Sequence, residues 1–178
     1  MMMNLTRHAL RIGLVGLVFS LALFADAPSF AAGRARTSAH ASGMEVASCS
    51  LSDVTGVTFP LPYNPFLNLY DYGTGHFTIT CTNQGKNGTT VQVQLSEGDG
   101  DSYDPREMDG SGTAKLNYNL YAGPDYQIIW GDGTGKSHNV QHVVKGSWTA
   151  TIYGRIFNNQ PKAEAGAYSD TITITVSP

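Results

Sequence analysis

Basic residues are scarce in this 178-residue chain: Lys and Arg number 11 against 14 Asp and Glu, a formal net charge of −3. Nucleic-acid binders neutralise phosphates with a basic face, so that class is excluded. Cysteine is almost absent too, with only Cys49 and Cys81. Neither sits in a C-x-x-C spacing, which argues against a thiol metal site. The longest apolar run, Leu14 to Ala25, is about a dozen residues, short of the roughly 20 that a membrane helix needs. Helical periodicity is hard to find beyond it. Catalytic signatures are missing as well: there is no G-x-S-x-G elbow and no Walker or Rossmann glycine pattern. We expect no enzyme activity and no cofactor.

The short apolar run reads as the centre of an export signal. Arg7 and Arg11 make a basic start, and Ser29-Phe30-Ala31 is a small-residue cleavage motif. Residues 1–32 are therefore expected to leave the mature protein, with cleavage after Ala27, Ala31 or Ala32. Losing Arg7, Arg11 and Asp26 takes the net charge from −3 to −4. No membrane span is expected in the mature form. In an exported protein the even cysteine pair most simply means one disulfide, Cys49–Cys81, which in the chain-entropy picture stabilises by about 3 to 4 kcal/mol.

Alternation replaces helical periodicity after the signal. Phe77, Ile79 and Cys81 share one parity; so do Val91, Val93 and Leu95, then Leu116, Tyr118 and Leu120, then Trp148, Ala150, Ile152 and Ile156. Thr, Gln and Asn fill the opposite parity, the pattern of antiparallel strands with one buried face. Strands are predicted near 44–51, 54–59, 76–82, 89–96, 114–121, 126–130, 148–157 and 170–176, some of them pieces of one bent strand. Glycine- and aspartate-rich turns such as Gly131-Asp132-Gly133-Thr134-Gly135 punctuate them. Short strands between turn clusters indicate a β-sandwich or barrel. The segment Thr171-Ile172-Thr173-Ile174-Thr175-Val176 alternates strictly, with no further strand predicted to cover it. Such an edge must satisfy its N–H and C=O groups elsewhere, which points to completion from outside the domain.

One segment has the pattern of a strand that could be lent. Residues 33–43 are small and polar, yet Ala35, Thr37, Ala39 and Ala41 share a parity. Main-chain pairing with another subunit's sheet would give affinity, and the alternate side chains would fill pockets. An alanine methyl contributes only about 0.8 kcal/mol on burial, against about 1.5 to 3 for Val, Ile or Phe. Such a strand would rely on backbone pairing, or extend its register into Met44 and Val46.

Three other features carry the residue types of chemical or contact sites. His138-Asn139-Val140-Gln141-His142 has zinc-protease spacing, but Asn139 replaces the general-base glutamate; a solvated strand or loop is expected. Glu97, Asp99, Asp101 and Asp104 crowd one loop, without the order of an EF-hand. The run Phe59 to Leu67 is the most apolar loop beyond the signal, either folded over one end of the sandwich or, at Phe66 and Leu67, a candidate surface patch.

Nine local patterns then fall in order: Phe59 with Tyr63-x-Pro65, Phe77-Thr78-Ile79-Thr80-Cys81, Leu95-Ser96-x-Gly98, Pro105-Arg106-x-Met108, Leu116-x-Tyr118-x-Leu120-Tyr121, Trp130-Gly131-Asp132-Gly133, Tyr153-Gly154-Arg155-Ile156 and Gly166-x-Tyr168-x-Asp170-Thr171, after a cysteine near the mature start. Together, from about 44 to 178, they resemble the spore coat protein U domain family, the secreted pilin subunits of archaic chaperone-usher pili. The resemblance implies an all-β fold, an incomplete immunoglobulin-like antiparallel β-sandwich lacking its last strand and completed by donor-strand complementation. It also implies three kinds of partner: a periplasmic pilus chaperone that lends a strand, an outer-membrane usher, and neighbouring pilin subunits whose N-terminal extensions replace the chaperone. Ile172, Ile174 and Val176 would then wall the acceptor groove. The expected role is a structural or adhesive fimbrial subunit, exported to the periplasm and then to a cell-surface fimbrium, supporting attachment and biofilm formation. The competing reading is a self-contained secreted β-sandwich that binds calcium or carbohydrate.

Overall fold

In the computed structural model, the residues described are 4–7 (main chain only), 47–59, 69–83 and 85–178. All of them belong to one compact unit formed by Met1–Leu10 with Val46–Pro178. Nine strands follow one another: β1 (Asn4–Arg7), β2 (Ser48–Thr58), β3 (Asp71–Thr82), β4 (Thr89–Leu95), β5 (Arg106–Asp109), β6 (Lys115–Tyr121), β7 (Val140–Val144), β8 (Ser147–Ile156) and β9 (Thr171–Ser177). They form a five-stranded sheet in the order β2-β3-β8-β6-β5 and a four-stranded sheet in the order β1-β9-β4-β7. Every pairing is antiparallel except β1 with β9. No helix occurs among the described residues.

The alternation read from the sequence is what packs the two sheets. Phe77 and Ile79 from β3, Val91, Val93 and Leu95 from β4, and Leu116, Tyr118 and Leu120 from β6 all lie fully buried between the layers. Cys49 and Cys81 face each other across β2 and β3 and are joined by the expected disulfide, with their Cα atoms 4.0 Å apart. Phe59 needs room that only glycine leaves: a Cβ at Gly154 would sit 2.6 Å from its ring, and the neighbouring Gly73 pairs with Gly154 across the sheet.

Four differences from the sequence reading have local causes. The pieces 44–51 and 54–59 are one strand, β2, bent by register shifts between Ser52 and Thr55 and between Thr55 and Thr58. β3 begins at Asp71 rather than near 76, because Gly73 and Gly75 hide the alternation. The stretch 126–130 is not a strand: Tyr126 takes φ 54°, the chain folds back onto the end of β6 through an isolated bridge of Ile129 with Tyr121, and Trp130 bridges to His138 instead. Two short edge strands, β5 and β7, escaped prediction. Four residues of β5 carry a buried arginine, and β7 keeps three of its five side chains exposed, so neither shows apolar alternation.

A polar core lies beneath the apolar one. Arg106 is fully buried; it donates to Asn119 Oδ1 at 2.8 Å, to Trp130 O at 2.7 Å and, through Nε and Nη2, to Ser96 O at 3.1 and 2.9 Å. Burial pulls its pKa below the ordinary guanidinium value, with Tyr118, Tyr103 and Asp170 opposing that shift. Asp170, also buried, accepts from the Tyr118 hydroxyl, from Asp99 N at 2.8 Å and from Thr171 N at 2.7 Å. Burial raises its pKa above the usual carboxylate value, against the opposing effect of these donors. Buried polar groups persist when they are satisfied this completely.

Two measurements check these assignments. Replacing Cys49 and Cys81 together by Ser should lower unfolding free energy by about 3 to 4 kcal/mol in urea titrations. Asp170 holds its proton more readily folded than unfolded, so its favourable contribution is complete below about pH 4 and is lost as pH rises through the raised folded value. The stability of the natural protein should therefore fall relative to Asp170→Asn over that window. A constant difference would place the carboxyl in water.

Candidate functional site: the outer edge of β9

Three anchors fix β9 in place. Tyr168, just ahead of the strand, donates its hydroxyl to Glu164 O at 2.6 Å. A tyrosine bonded back to the main chain a few residues upstream is the corner that introduces strand F of immunoglobulin-like sandwiches. Asp170 ties the strand start to the loop after β4, where Gly98 has φ 85° and a Cβ would come within 2.1 Å of Asp170 Oδ2. Ser96 grips the strand itself: its N–H donates to Thr173 O at 3.0 Å and its hydroxyl accepts from Thr173 N at 2.9 Å.

This last pair sets the direction of every amide in β9. The N–H and C=O of a strand residue point to one side, and neighbouring residues alternate. Since Thr173 turns both groups toward β4, Ile172, Ile174 and Val176 turn theirs the other way. Their side chains meanwhile face the core, with Ile172 and Ile174 fully buried and Val176 packed against the same cluster. The three residues that the sequence reading nominated as a groove thus turn main-chain groups to the outer edge and side chains to the core.

A short parallel strand occupies that edge. β1 aligns Asn4 with Thr171, Leu5 with Ile172, Thr6 with Thr173 and Arg7 with Ile174. It also approaches β2, the outer strand of the opposite sheet. β1 therefore sits where strand G of an immunoglobulin-like sandwich would lie, beside F and against the first strand of the other layer. It reaches only as far as Ile174, and its residues belong to the segment read as the export signal.

The remaining nominated residues are scattered. Ala35, Thr37, Ala39 and Ala41, the extension 33–43 and the patch residues Phe66 and Leu67 lie outside the described residues, as does most of the signal 1–32. His138 and His142 stand in extended chain, not on a helix, and His142 stacks on Trp148 at 4.0 Å. Asp104 pairs with Lys136 at 2.9 Å, and among the described residues no three His, Cys, Asp or Glu side chains are grouped to hold a metal. Asp132 caps its own turn by accepting from Thr134 N at 2.8 Å, as a tight turn after buried Trp130 requires. The sequence reading missed the roles of Ser96, Arg106 and Asp170. Their only signal was their place in the ordered motifs.

With this geometry in hand, comparison with known proteins becomes informative. The model of the Spore Coat Protein U domain family matches residues 36–175. No curated protein sequence matches the chain. Among solved structures, the chain is similar to the crystal structure of the CsuC-CsuE chaperone-tip adhesion subunit pre-assembly complex from archaic chaperone-usher Csu pili of Acinetobacter baumannii, at 19% identity and TM-score 0.52 over 75% of this chain and 40% of that one. A weaker likeness, at 18% identity and TM-score 0.39, links 61% of the chain with 35% of a chain in a chaperone-tip adhesin complex of CFA/I fimbriae biogenesis. The chain thus spans less than half the length of the solved chains it matches. The molecule is an immunoglobulin-like β-sandwich whose strand-G position is filled by a four-residue piece of its own N-terminus. It belongs to the Spore Coat Protein U domain family.

One pair of substitutions tests the β9 assignment. Ile174→Asp puts a carboxylate in a fully buried position and should cost about 4 kcal/mol or more. Thr175→Asp, one residue on and facing water, should shift the melting temperature little. Equal effects would mean that the strand is turned over.

Proposed function

We propose that this protein is a fimbrial subunit of a chaperone-usher pathway, polymerising by donor-strand exchange at the outer edge of β9. The observation that carries this reading is the outward main-chain edge of Ile172, Ile174 and Val176, filled only by residues of the segment read as the signal. Removal of residues 1–32 on export would strip β1 from β9. Unpaired N–H and C=O groups beside an opened core are costly, so another strand must take that place.

In this reading a periplasmic chaperone supplies the strand first. The usher then brings in the N-terminal extension of the next subunit, residues 33–43, with Ala35, Thr37, Ala39 and Ala41 turned into the groove. The mature protein passes through the periplasm to a surface fimbrium, where its role is structural and adhesive, supporting attachment and biofilm formation rather than catalysis. The small donor side chains leave most of the joint's strength to the seven-residue strand they would pair with.

The test uses the exported chain. Appending a second copy of residues 33–46 to the C-terminus through a short flexible linker should give a soluble monomer that melts well above the chain without it. Ala39→Ile in that copy should add about 1 to 2 kcal/mol by burying a larger side chain. A mature chain without an appended strand that is already monomeric and gains nothing from it would contradict the proposal.

A further inference from the structure

The outer face of the five-stranded sheet presents a surface that assembly at β9 does not use. Away from the core, β3 exposes Thr74, His76 and Thr82 and half-buries Thr78 and Thr80 between them, and β8 exposes Ser147, Thr149 and Thr151. The register aligns them in rows across the strands: Ser50 with Thr80 and Ser147, Ser52 with Thr78 and Thr149. Within a row the hydroxyls recur at the strand spacing of about 4.8 Å. Two cross-strand pairs are already engaged, Thr78 with Thr149 at 2.9 Å and Thr80 with Ser147 at 3.4 Å. Each hydroxyl carries one hydrogen and two lone pairs, so such pairs keep acceptor sites, and one donor, for a third group.

Further along β3 and β8, past His76 and Thr74, the rows give way to a cluster of rings. Tyr70, Tyr72, Tyr126 and Tyr153 follow one another with centroids 6.4, 4.8 and 6.3 Å apart. Tyr70 and Tyr72 are 42% and 47% exposed, which is unusual for large rings not turned toward a partner. Arg155 lies among them, 5.1 Å from the Tyr70 ring and 5.5 Å from Tyr126, and donates to Tyr121 Oη at 2.7 Å. Its Nε is buried with no hydrogen-bond partner among the described residues. Beside the rings is an open cleft of about 360 Å³ lined by Thr58, Phe59, Tyr72, Gly73, Thr74 and Tyr126. That is the scale and composition of a small-ligand site, mostly apolar with a few placed polar groups.

The chemistry of the face selects its partner. The outward positions of β3 from Tyr72 to Thr82 and of β8 from Ser147 to Tyr153 hold Ser, Thr, Tyr and His and no carboxylate or ammonium, so a charged polymer finds no complementary field along the rows. A purely apolar partner would leave the threonine hydroxyls without water. An uncharged partner with alternating C–H faces and hydroxyl edges suits both halves. Pyranose rings stack on tyrosine through their C–H faces, and their hydroxyls exchange bonds with each row that the polymer crosses as it runs along the strands. We infer that this face binds an extended neutral polysaccharide, with Tyr70, Tyr72 and Tyr126 as the stacking platform and the Thr78 and Thr149 row continuing the track. A sugar hydroxyl reaching between the rings would also satisfy Arg155 Nε. This site is independent of the assembly reading, because it lies on the sheet that does not contain β9.

The experiment takes the protein purified from the exported fraction to microcrystalline cellulose as the probe. We expect retention that resists 0.5 M salt, is released by cellohexaose, and falls at least tenfold for Tyr72→Ala at an unchanged melting temperature. Tyr72→Phe should retain most of the binding, and Thr149→Lys should weaken it about as much as Tyr72→Ala. Absence of retention overturns the inference. So does retention on polystyrene that cellohexaose does not compete, which would assign the face to apolar surfaces. Binding to cellulose that both Tyr72→Ala and Thr149→Lys leave intact overturns it as well.

Discussion

Every second residue of β9 turns its N–H and C=O away from β4, and those groups have to be satisfied by something. In a finished sandwich a strand does this with little free-energy gain per bond, since the net value of a hydrogen bond is only about 1 kcal/mol. Left bare beside an open core, the same groups are costly. Ile172 and Ile174 join the two demands, because the residues whose main chain faces β1 also bury their side chains in the core. One inserted strand meets both at once. Where that strand comes from decides whether the domain is self-sufficient or has to polymerise.

The opposite side of β9 is held with unusual thoroughness. Ser96 uses its main chain and its hydroxyl on Thr173, and the main-chain carbonyl of the same residue receives two hydrogen bonds from buried Arg106. Asp170 and Tyr118 close the strand's start. A buried charge pair or network is weak support for stability in itself, since its desolvation costs about as much as it returns. What this one supplies is position: it fixes which way β9 faces and therefore which amides reach the outer edge.

Much of this was legible in the residues. Alternation with a period of two marked the long strands, because β3, β4, β6 and β8 each bury most of one parity. The Cys49–Cys81 disulfide was legible in a different way, from a chain with a single pair of cysteines. β5 and β7 were not legible, since Arg106 in a core position and exposed His142 and Val143 break the pattern that marks a strand. The bond of Ser96 to Thr173 joins residues far apart in the chain, and no local spacing encodes it. Nor does local sequence announce the tyrosine platform. Tyr70, Tyr126 and Tyr153 come from three separate segments and meet only when β3, β8 and the loop after β6 are assembled.

The direction of the β9 amides gives the most direct test of donor-strand completion. Amide hydrogen exchange can be followed residue by residue in the mature chain, alone and with a peptide of residues 33–46. If the outer edge is the assembly site, Thr173 and Thr175 should be protected in both states, while Ile172, Ile174 and Val176 exchange rapidly alone and become protected when the peptide binds. Protection of Ile172, Ile174 and Val176 in the mature chain without any peptide would contradict it, because the edge would then already be closed.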